Sequence, residues 1–271
     1  MIENLVLGSG GTKGTALIGF YKYLYQNNLH KNIKNILGCS VGSLVGMMIS
    51  IGYSYKEIEG LLLGFDVSKM INKNNNLLDI FENLGFDDGE SFCRIIKILL
   101  KAKTENANIT FKEHYVKYKI KLIILGCNID EYENVYFNYK NYPDMEIWEA
   151  LRISCGIPLV FKPYKFEGCY YVDGALNNPC PTDYFKNQDK TLSVILEKSQ
   201  VDKIVDFKSY FTSLFFYSNR LKMKKKIKKK NCITIVLDKQ FDENEFKINL
   251  ETKKRFIEVG YQKTEEYFKG K

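Results

Sequence analysis

The chain has 271 residues, 45% of them hydrophobic, and a formal net charge of +8. This hydrophobic content is enough to bury a core, so a globular, enzyme-sized α/β fold of one domain or two small ones is expected. The seven cysteines are odd in number and show no C-x-x-C spacing. We therefore expect neither a disulfide framework nor a structural zinc site, and a reducing compartment is favoured.

The N-terminus and the hydropathy pattern bear on localisation. The chain enters an apolar stretch at Leu5-Val6-Leu7 without a charged leader and a long apolar segment, so no signal peptide is predicted. No run approaches the roughly 18 apolar residues of a membrane-spanning helix. The expectation is a cytoplasmic or otherwise intracellular protein, with peripheral contact to a membrane left open.

Much of the positive charge lies between residues 222 and 230. Such a run can be a solvated face, a nucleic-acid patch or a docking site for anionic lipid. The whole chain is rich in Lys, Asn, Ile and Tyr, which lowers the weight of any lysine cluster. We expect no nucleic-acid partner, and contact with an anionic membrane stays a hypothesis for Lys222, Lys224, Lys225, Lys226, Lys228, Lys229 and Lys230.

Strand-like and helix-like patterns alternate along the chain. Short apolar runs predict buried strands, and longer runs with helical spacing predict helices between them. The predicted strands are Leu5–Leu7, Ile33–Leu37, Lys121–Cys127, Val135–Tyr139, Leu192–Leu196 and Cys232–Leu237, with a strand pair around Gly168 over Phe166–Val172. The predicted helices are 15–27, 41–51, 54–63, 77–84, 91–103, 145–154, 202–221 and 250–268, and a capping box at Thr110 opens one more.

This alternation predicts a mainly parallel sheet with helices on both faces. The sequence shows no internal repeat and no clear linker, so a single domain over residues 1–271 is expected. The motifs that carry chemistry lie between about residues 4 and 185. The part from 200 to 271, which contains the lysine run, has no predicted role.

A glycine-rich loop, Gly8-Ser9-Gly10-Gly11-Thr12-Lys13-Gly14, follows the first predicted strand. A P-loop requires Gly-Lys-Ser/Thr, whereas Lys13 is followed by Gly14. The dinucleotide fingerprint that starts at Gly8 requires a third glycine where Lys13 stands. The loop instead offers flexible backbone with free N–H groups, which is what an oxyanion hole requires.

The segment Gly38-Cys39-Ser40-Val41-Gly42 has the G-x-S-x-G pattern of a nucleophile elbow, between an apolar strand and an apolar helix. Such a turn is tight, so a side chain at Gly38 or Gly42 would crowd the neighbouring backbone. Ser40 Oγ then stands at a helix N-terminus, which favours developing negative charge. The structural alternative is a serine N-cap with incidental glycines.

A serine nucleophile needs a base, and the chain has two histidines, His30 and His114, with none after Asp173. A triad in the hydrolase order Ser, acid, His is therefore excluded. The economical alternative is a carboxylate that takes the Ser40 proton directly, since partial burial raises the pKa of an Asp and makes it a better base. Asp173 ends an apolar run and precedes Gly174, although Asp-Gly is also a hairpin signal.

Together these motifs resemble those of the patatin-like phospholipases. The resemblance covers most of the first 180 residues and includes the approach to the aspartate motif, from Ile153-Ser154-Cys155 to Pro163. Ser9 departs from the pattern, because the family usually has a glycine there, although its N–H could still donate. The segments that resemble the oxyanion loop, the nucleophile elbow and the aspartate motif are Gly10–Gly14, Gly38–Gly42 and Asp173-Gly174-Ala175 with Asn178-Pro179.

The resemblance implies a three-layer α/β/α fold and a Ser40–Asp173 dyad that hydrolyses acyl esters of lipids without a metal or a cofactor. It implies oxyanion donors at the backbone of Gly10 and Gly11, with Thr12 as a third candidate. The residues implied to support these motifs are Lys13, Gly14, Gly38, Gly42 and Gly174.

Two other classes of function stay open. An acyltransferase would hand the same acyl-serine to an alcohol or a lipid instead of water. A catalytically idle protein that binds membranes would keep the fold and use the lysine run. The lipid class and the oligomeric state are not predicted.

Overall fold

The computed structural model describes residues 1–64, 84–198, 231–237 and 248–270, together with Ile204, Tyr210, Ser213, Leu214 and Tyr217. The predicted helices at 77–84 and 202–221 lie largely outside the described residues. The lysine run Lys222–Lys230 lies wholly outside them, so its contact with anionic membrane remains a prediction.

Ten strands are present in the described part of the chain. They are β1 Asn4–Leu7, β2 Asn35–Cys39, β3 Gly85–Asp87, β4 Lys121–Asn128, β5 Glu133–Phe137, β6 Leu159–Phe161, β7 Tyr164–Phe166, β8 Cys169–Asp173, β9 Thr191–Lys198 and β10 Cys232–Leu237. Eight of them form one sheet with the strand order β10-β9-β1-β2-β4-β8-β7, and β5 pairs with β4 outside this order. The first five strands in the order run parallel, and β5, β8 and β7 pair antiparallel with their neighbours.

The register along β4 brings two strand ends together. β2 and β5 both pair with Leu125, so they occupy opposite edges of β4. β5 also pairs with Gly126–Asn128, and β8 pairs with the same three residues. β8 must therefore lie on the other edge of β4, which is the edge that β2 occupies. β2 ends at Cys39 opposite Leu125, and β8 ends at Asp173 one position further along β4. The carboxyl ends of β2 and β8 thus meet head to head.

The sheet is buried on both faces, as expected for parallel strands with continuous apolar runs. One face packs with the helices into the large core, and the other forms a smaller cluster in which Val6, Leu37 and Ile123 meet Ala175 and Cys180. The predicted α/β fold with a mainly parallel central sheet is confirmed. The helices are α1 Ala16–Gln26, α2 Val41–Ser50, α3 Tyr55–Gly64, α4 Glu90–Thr104, α5 Phe111–Tyr118, α6 Ile147–Ser154 and α7 Leu250–Lys269.

The C-terminal helix α7 packs on α1 at unusually close range. A β-carbon at Gly19 would collide with the carbonyl oxygen of Ile257, and one at Gly260 with the carbonyl oxygen of Ala16. The two helix backbones can therefore approach each other only because both positions lack a side chain. Among the helices in the described ranges, none combines the length and the hydrophobicity that crossing a bilayer requires.

At Gly85–Asp87 and Leu159–Phe161, where no strand is predicted from the sequence, the structure has a second, two-stranded sheet of β3 and β6. The buried guanidinium of Arg152 braces it, because Nε and Nη2 donate to the carbonyl oxygen of Asp88 and Nη2 also donates to that of Lys162. Strands of three residues are too short to show a periodic pattern, which is why the sequence does not indicate them.

Candidate active site

Ser40 lies at the turn between β2 and α2 with φ 56° and ψ −130°. A positive φ is uncommon for a residue with a side chain and signals local strain. The glycines on either side make the turn sterically possible. A β-carbon at Gly38 would collide with the backbone of Ser43, and one at Gly42 would collide with the carbonyl oxygens of Leu7 and Gly8.

Side chains hold the main chain of Ser40 at both of its polar groups. Its N–H donates to Ser154 Oγ at 3.0 Å, and its carbonyl oxygen accepts from Ser43 N at 2.8 Å and from Ser43 Oγ at 2.5 Å. All three serines are buried. The strained turn is therefore fixed by hydrogen bonds that water cannot replace.

Asp173 ends β8 beside this turn and is 3% exposed. Its Oδ1 accepts the Ala175 N–H at 2.8 Å, which closes a short 3₁₀ turn over Gly174–Leu176 rather than a hairpin. The thiol of Cys39 lies 3.9 Å from the same oxygen. A β-carbon at Gly174 would press on Leu125 of β4, so the glycine lets the turn sit against the sheet.

Burial raises the pKa of the Asp173 carboxyl group to about 7. Three hydrogen bonds oppose this rise, and the largest of them comes from the Ser40 side chain, followed by the Ala175 N–H and the Cys39 thiol. A carboxyl group with such a pKa exists in both protonation states near neutral pH. It can therefore take a proton from a hydroxyl group and give it back.

The two other thiols near this carboxyl group are not candidate nucleophiles. Burial raises the pKa of both Cys127 and Cys155, and the negative charge of Asp173 adds to the effect. A thiol with a raised pKa carries almost no thiolate at neutral pH and is inert. Among the residues grouped here, Ser40 is thus the nucleophile that the geometry favours.

The glycine-rich loop wraps against the elbow and the aspartate segment. Ser9 N–H donates to the Pro179 carbonyl oxygen at 2.7 Å, and a β-carbon at Gly14 would collide with Val41 of α2. Residues Gly11–Thr15 form a 3₁₀ turn, and Gly11 has φ 54° with open space beside it. The first N–H groups of such a turn have no partner within it. The N–H of Ser9, whose role as a further donor the sequence left open, is occupied by the Pro179 carbonyl oxygen.

The family model for patatin-like phospholipases matches residues 5–186, about two thirds of the chain. The chain belongs to the patatin-like phospholipase family. An uncharacterized protein of Acanthamoeba polyphaga mimivirus is 28% identical over 96% of this chain and 91% of that protein. A probable lipid hydrolase of Invertebrate iridescent virus 6 is 33% identical over 67% of this chain, and the chain spans 62% of its length.

A solved structure has the same fold. VipD from Legionella pneumophila matches with a TM-score of 0.69 and 18% sequence identity, over 99% of this chain and 67% of that one. At this level of identity the likeness concerns the fold alone. The three motifs of the patatin-like chain all lie inside the matched family region, and the structure brings all three together.

The histidines of this patatin-like protein lie away from the elbow. His114 is buried, with Nε2 2.8 Å from Ser50 Oγ, and burial lowers its pKa to about 4. Ser50 ends α2, which Ser40 precedes, so ten residues of helix, or about 15 Å, separate them. His30 stacks on Tyr25 beyond the end of α1. Neither histidine can serve Ser40 as a base.

The motifs alone do not identify two residues that hydrogen-bond to the main chain of Ser40 and Asp173. Ser154 accepts the N–H of Ser40, and the Gly156 carbonyl oxygen accepts the N–H of Asp173 at 3.0 Å. Both lie in the approach segment that resembles the family. Their contacts could not be predicted because they depend on where the end of α6 lies relative to the sheet.

Proposed function

We propose that this patatin-like chain is a lipid acyl hydrolase in which Ser40 is the nucleophile and Asp173 the base. Family membership and the similarity to a probable lipid hydrolase support hydrolysis of acyl lipids. The observation that carries the dyad is the buried carboxyl group of Asp173, whose pKa is raised to about 7 and which hydrogen-bonds the Ser40 side chain. It provides a base without any histidine.

In the proposed mechanism, Asp173 accepts the Ser40 proton while Ser40 Oγ attacks the ester carbonyl carbon. The tetrahedral intermediate collapses, the C–O bond to the leaving alcohol breaks, and Asp173 gives the proton to that alcohol. Water then attacks the acyl-serine as Asp173 takes its proton. The fatty acid leaves and the proton returns to Ser40 Oγ, so the enzyme is regenerated.

The oxyanion that forms in each tetrahedral step needs donors that are in place beforehand. We assign this role to the backbone N–H groups of Gly10 and Gly11, with Thr12 as a third candidate. The assignment is supported by the open space beside Gly11 and by the packing of the loop on the elbow through Gly14. Removing one such donor lowers the rate by about 10²- to 10³-fold in serine hydrolases.

Fatty-acid release from mixed phospholipid vesicles, with a chelator present, tests the proposal. We expect release by the wild type and only background release by Ser40→Ala and Asp173→Asn. Ser50→Ala, which changes a buried serine about 15 Å away, serves as the matched control and should remain active. Full activity in Ser40→Ala would remove the proposed nucleophile.

The same assay separates hydrolysis from acyl transfer. An acyl acceptor such as a lysophospholipid is added, and the products are identified. The proposal predicts free fatty acid as the main product with or without the acceptor. Quantitative transfer to the acceptor would assign the chain to the acyltransferases instead.

A further inference from the structure

Ser154 is a fully buried serine whose hydroxyl oxygen accepts the N–H of the candidate nucleophile at 3.0 Å. The two residues are 114 positions apart in sequence. β2 ends at Cys39, so the N–H of Ser40 has left the sheet pairing that would otherwise satisfy it. A buried N–H without an acceptor is costly, so the position of the Ser154 hydroxyl determines where the Ser40 backbone settles.

The same short segment also holds the candidate base. The carbonyl oxygen of Gly156, two residues after Ser154, accepts the Asp173 N–H at 3.0 Å. The segment is itself fixed to the last turn of α6, because Cys155 N donates to Leu151 O at 3.0 Å and Gly156 N to Ile153 O at 2.9 Å. Residues 154–156 therefore form one rigid stretch that hydrogen-bonds to the main chain of both Ser40 and Asp173.

We infer that Ser154 is a positioning residue that holds Ser40 Oγ within reach of the Asp173 carboxylate. The inference rests on the proposed function, since it concerns the geometry of the same Ser40–Asp173 pair. Ser154 is fully buried and its hydroxyl oxygen bonds the backbone of Ser40, so it acts through Ser40 rather than on the substrate.

Removing the Ser154 hydroxyl leaves the Ser40 N–H without its acceptor and lets the strained φ of Ser40 relax. A displacement of reacting atoms by about 1 Å lowers a rate by about 10²-fold. The loss should appear in kcat, because the pair would be misaligned in the bound complex. KM should change little, because no group that binds substrate has been removed.

The experiment compares Ser154→Ala, Ser154→Thr and Ser50→Ala with the wild type. The readouts are kcat and KM for a water-soluble acyl ester and the midpoint of thermal unfolding. Ser154→Thr keeps the hydroxyl group. Ser50 is the matched control, because it is also fully buried at a helix end and also hydrogen-bonded, to Met47 O and His114 Nε2.

We expect Ser154→Ala to lower kcat by about 10- to 100-fold with KM within about twofold. Ser154→Thr should recover most of kcat, and Ser50→Ala should lose stability but keep kcat. Wild-type kcat in Ser154→Ala, a loss confined to KM, or an equal loss of kcat in Ser50→Ala would overturn the inference.

Two further comparisons keep the test decisive. If Ser154→Ala does not fold, Ser154→Thr is compared with Ser154→Cys, whose thiol is a much weaker acceptor. Equal kcat in those two variants would overturn the positioning role. A wild type that does not turn over the ester, or a Ser40→Ala variant that does, refutes the proposed function itself, and this is seen before any Ser154 variant is measured.

Discussion

Asp173 is buried at the end of a strand, where its carboxyl group accepts three hydrogen bonds. They come from the Ser40 hydroxyl, the Ala175 N–H and the Cys39 thiol. With burial as the largest influence, the pKa of the carboxyl group rises to about 7. The residue therefore has the property that a histidine usually supplies in serine hydrolases.

The first prediction at this scale concerns the pH dependence of activity. Only the ionised carboxylate can accept the Ser40 proton, so kcat/KM for a water-soluble ester should rise with pH, with a midpoint near 7. Initial rates between pH 4 and 9 measure this profile. A midpoint near 4, the value for an ordinary Asp, would contradict a buried base.

The second prediction concerns stability. The folded chain keeps the Asp173 proton up to about pH 7, whereas an unfolded Asp loses it near pH 4. Ionisation in this window favours the unfolded chain, so the contribution of Asp173 to stability is present below pH 4 and is lost as the pH rises to 7. Asp173→Asn cannot ionise and should be the more stable protein at pH 8, by about 1 to 4 kcal/mol.

Urea unfolding of wild type and Asp173→Asn at pH 4, 6 and 8 measures this difference. Other titrating groups, such as His114, are present in both proteins, so their effects cancel in the comparison. The difference in the free energy of unfolding should grow with pH. A difference that is constant over this range would show that Asp173 titrates normally.

At the scale of the elements, the site depends on how closely α2 approaches the end of β1. Gly42 faces the carbonyl oxygens of Leu7 and Gly8, where the glycine-rich loop begins. These are backbone atoms and cannot rotate away as a side chain could. The distance between the elbow and the loop is therefore set by the missing side chain at Gly42.

Gly42→Ala should consequently destabilise the fold by about 1 to 3 kcal/mol and reduce activity, since the loop and the elbow are pushed apart. Gly60→Ala is the matched control. Gly60 lies in α3 with nothing within 4 Å of an added β-carbon, so the change should stabilise that helix by up to about 1 kcal/mol. Chemical unfolding measures both. Equal effects of the two changes would contradict the account.

The elements that the sequence predicts well are those with a long local signal. The strand over Lys121–Asn128, the helix over Glu90–Thr104 and the capping box at Thr110 with Glu113 all lie within a few residues of their predicted places. The elbow can also be recognised from the sequence, because Gly38 and Gly42 are required by close backbone contacts within the turn and with the end of β1.

What the sequence does not predict depends on register and on tertiary placement. The meeting of Cys39 and Asp173 follows from β2 and β8 sharing one edge of β4, which no local pattern encodes. The hydrogen bond from Ser40 to Ser154 likewise requires the end of α6 to reach the elbow. The roles of Ser40 and Asp173 in catalysis stay predictions until the variants are measured.

At the scale of the whole molecule, the chain continues beyond the region that the family model matches. β9 and β10 extend the parallel sheet past β1, and α7 packs against α1. α1 begins at Ala16, directly after the turn of the glycine-rich loop. Helix α7 thus supports the helix that directly follows the loop with the proposed oxyanion donors, which gives part of the C-terminal region a structural role.

Gly260→Ala tests this role, with Gln262→Ala on the exposed side of α7 as the control. An alanine in a helix normally stabilises it. At Gly260, however, the new β-carbon would collide with the carbonyl oxygen of Ala16, so we expect a loss of about 1 to 3 kcal/mol and reduced ester hydrolysis. Thermal unfolding and initial rates measure both effects. A more stable Gly260→Ala variant would show that α7 does not press on α1.

The measurement that tests the central claim most directly is the mass of the protein after incubation with a fluorophosphonate, which reacts with activated serines. We predict a single adduct on the wild type, located by peptide mapping to the segment that contains Ser40. Ser40→Ala should carry none, and Asp173→Asn should react about 10²- to 10⁴-fold more slowly, since the general base is lost. An adduct on another residue, or equal rates for wild type and Asp173→Asn, would contradict a Ser40 nucleophile activated by Asp173.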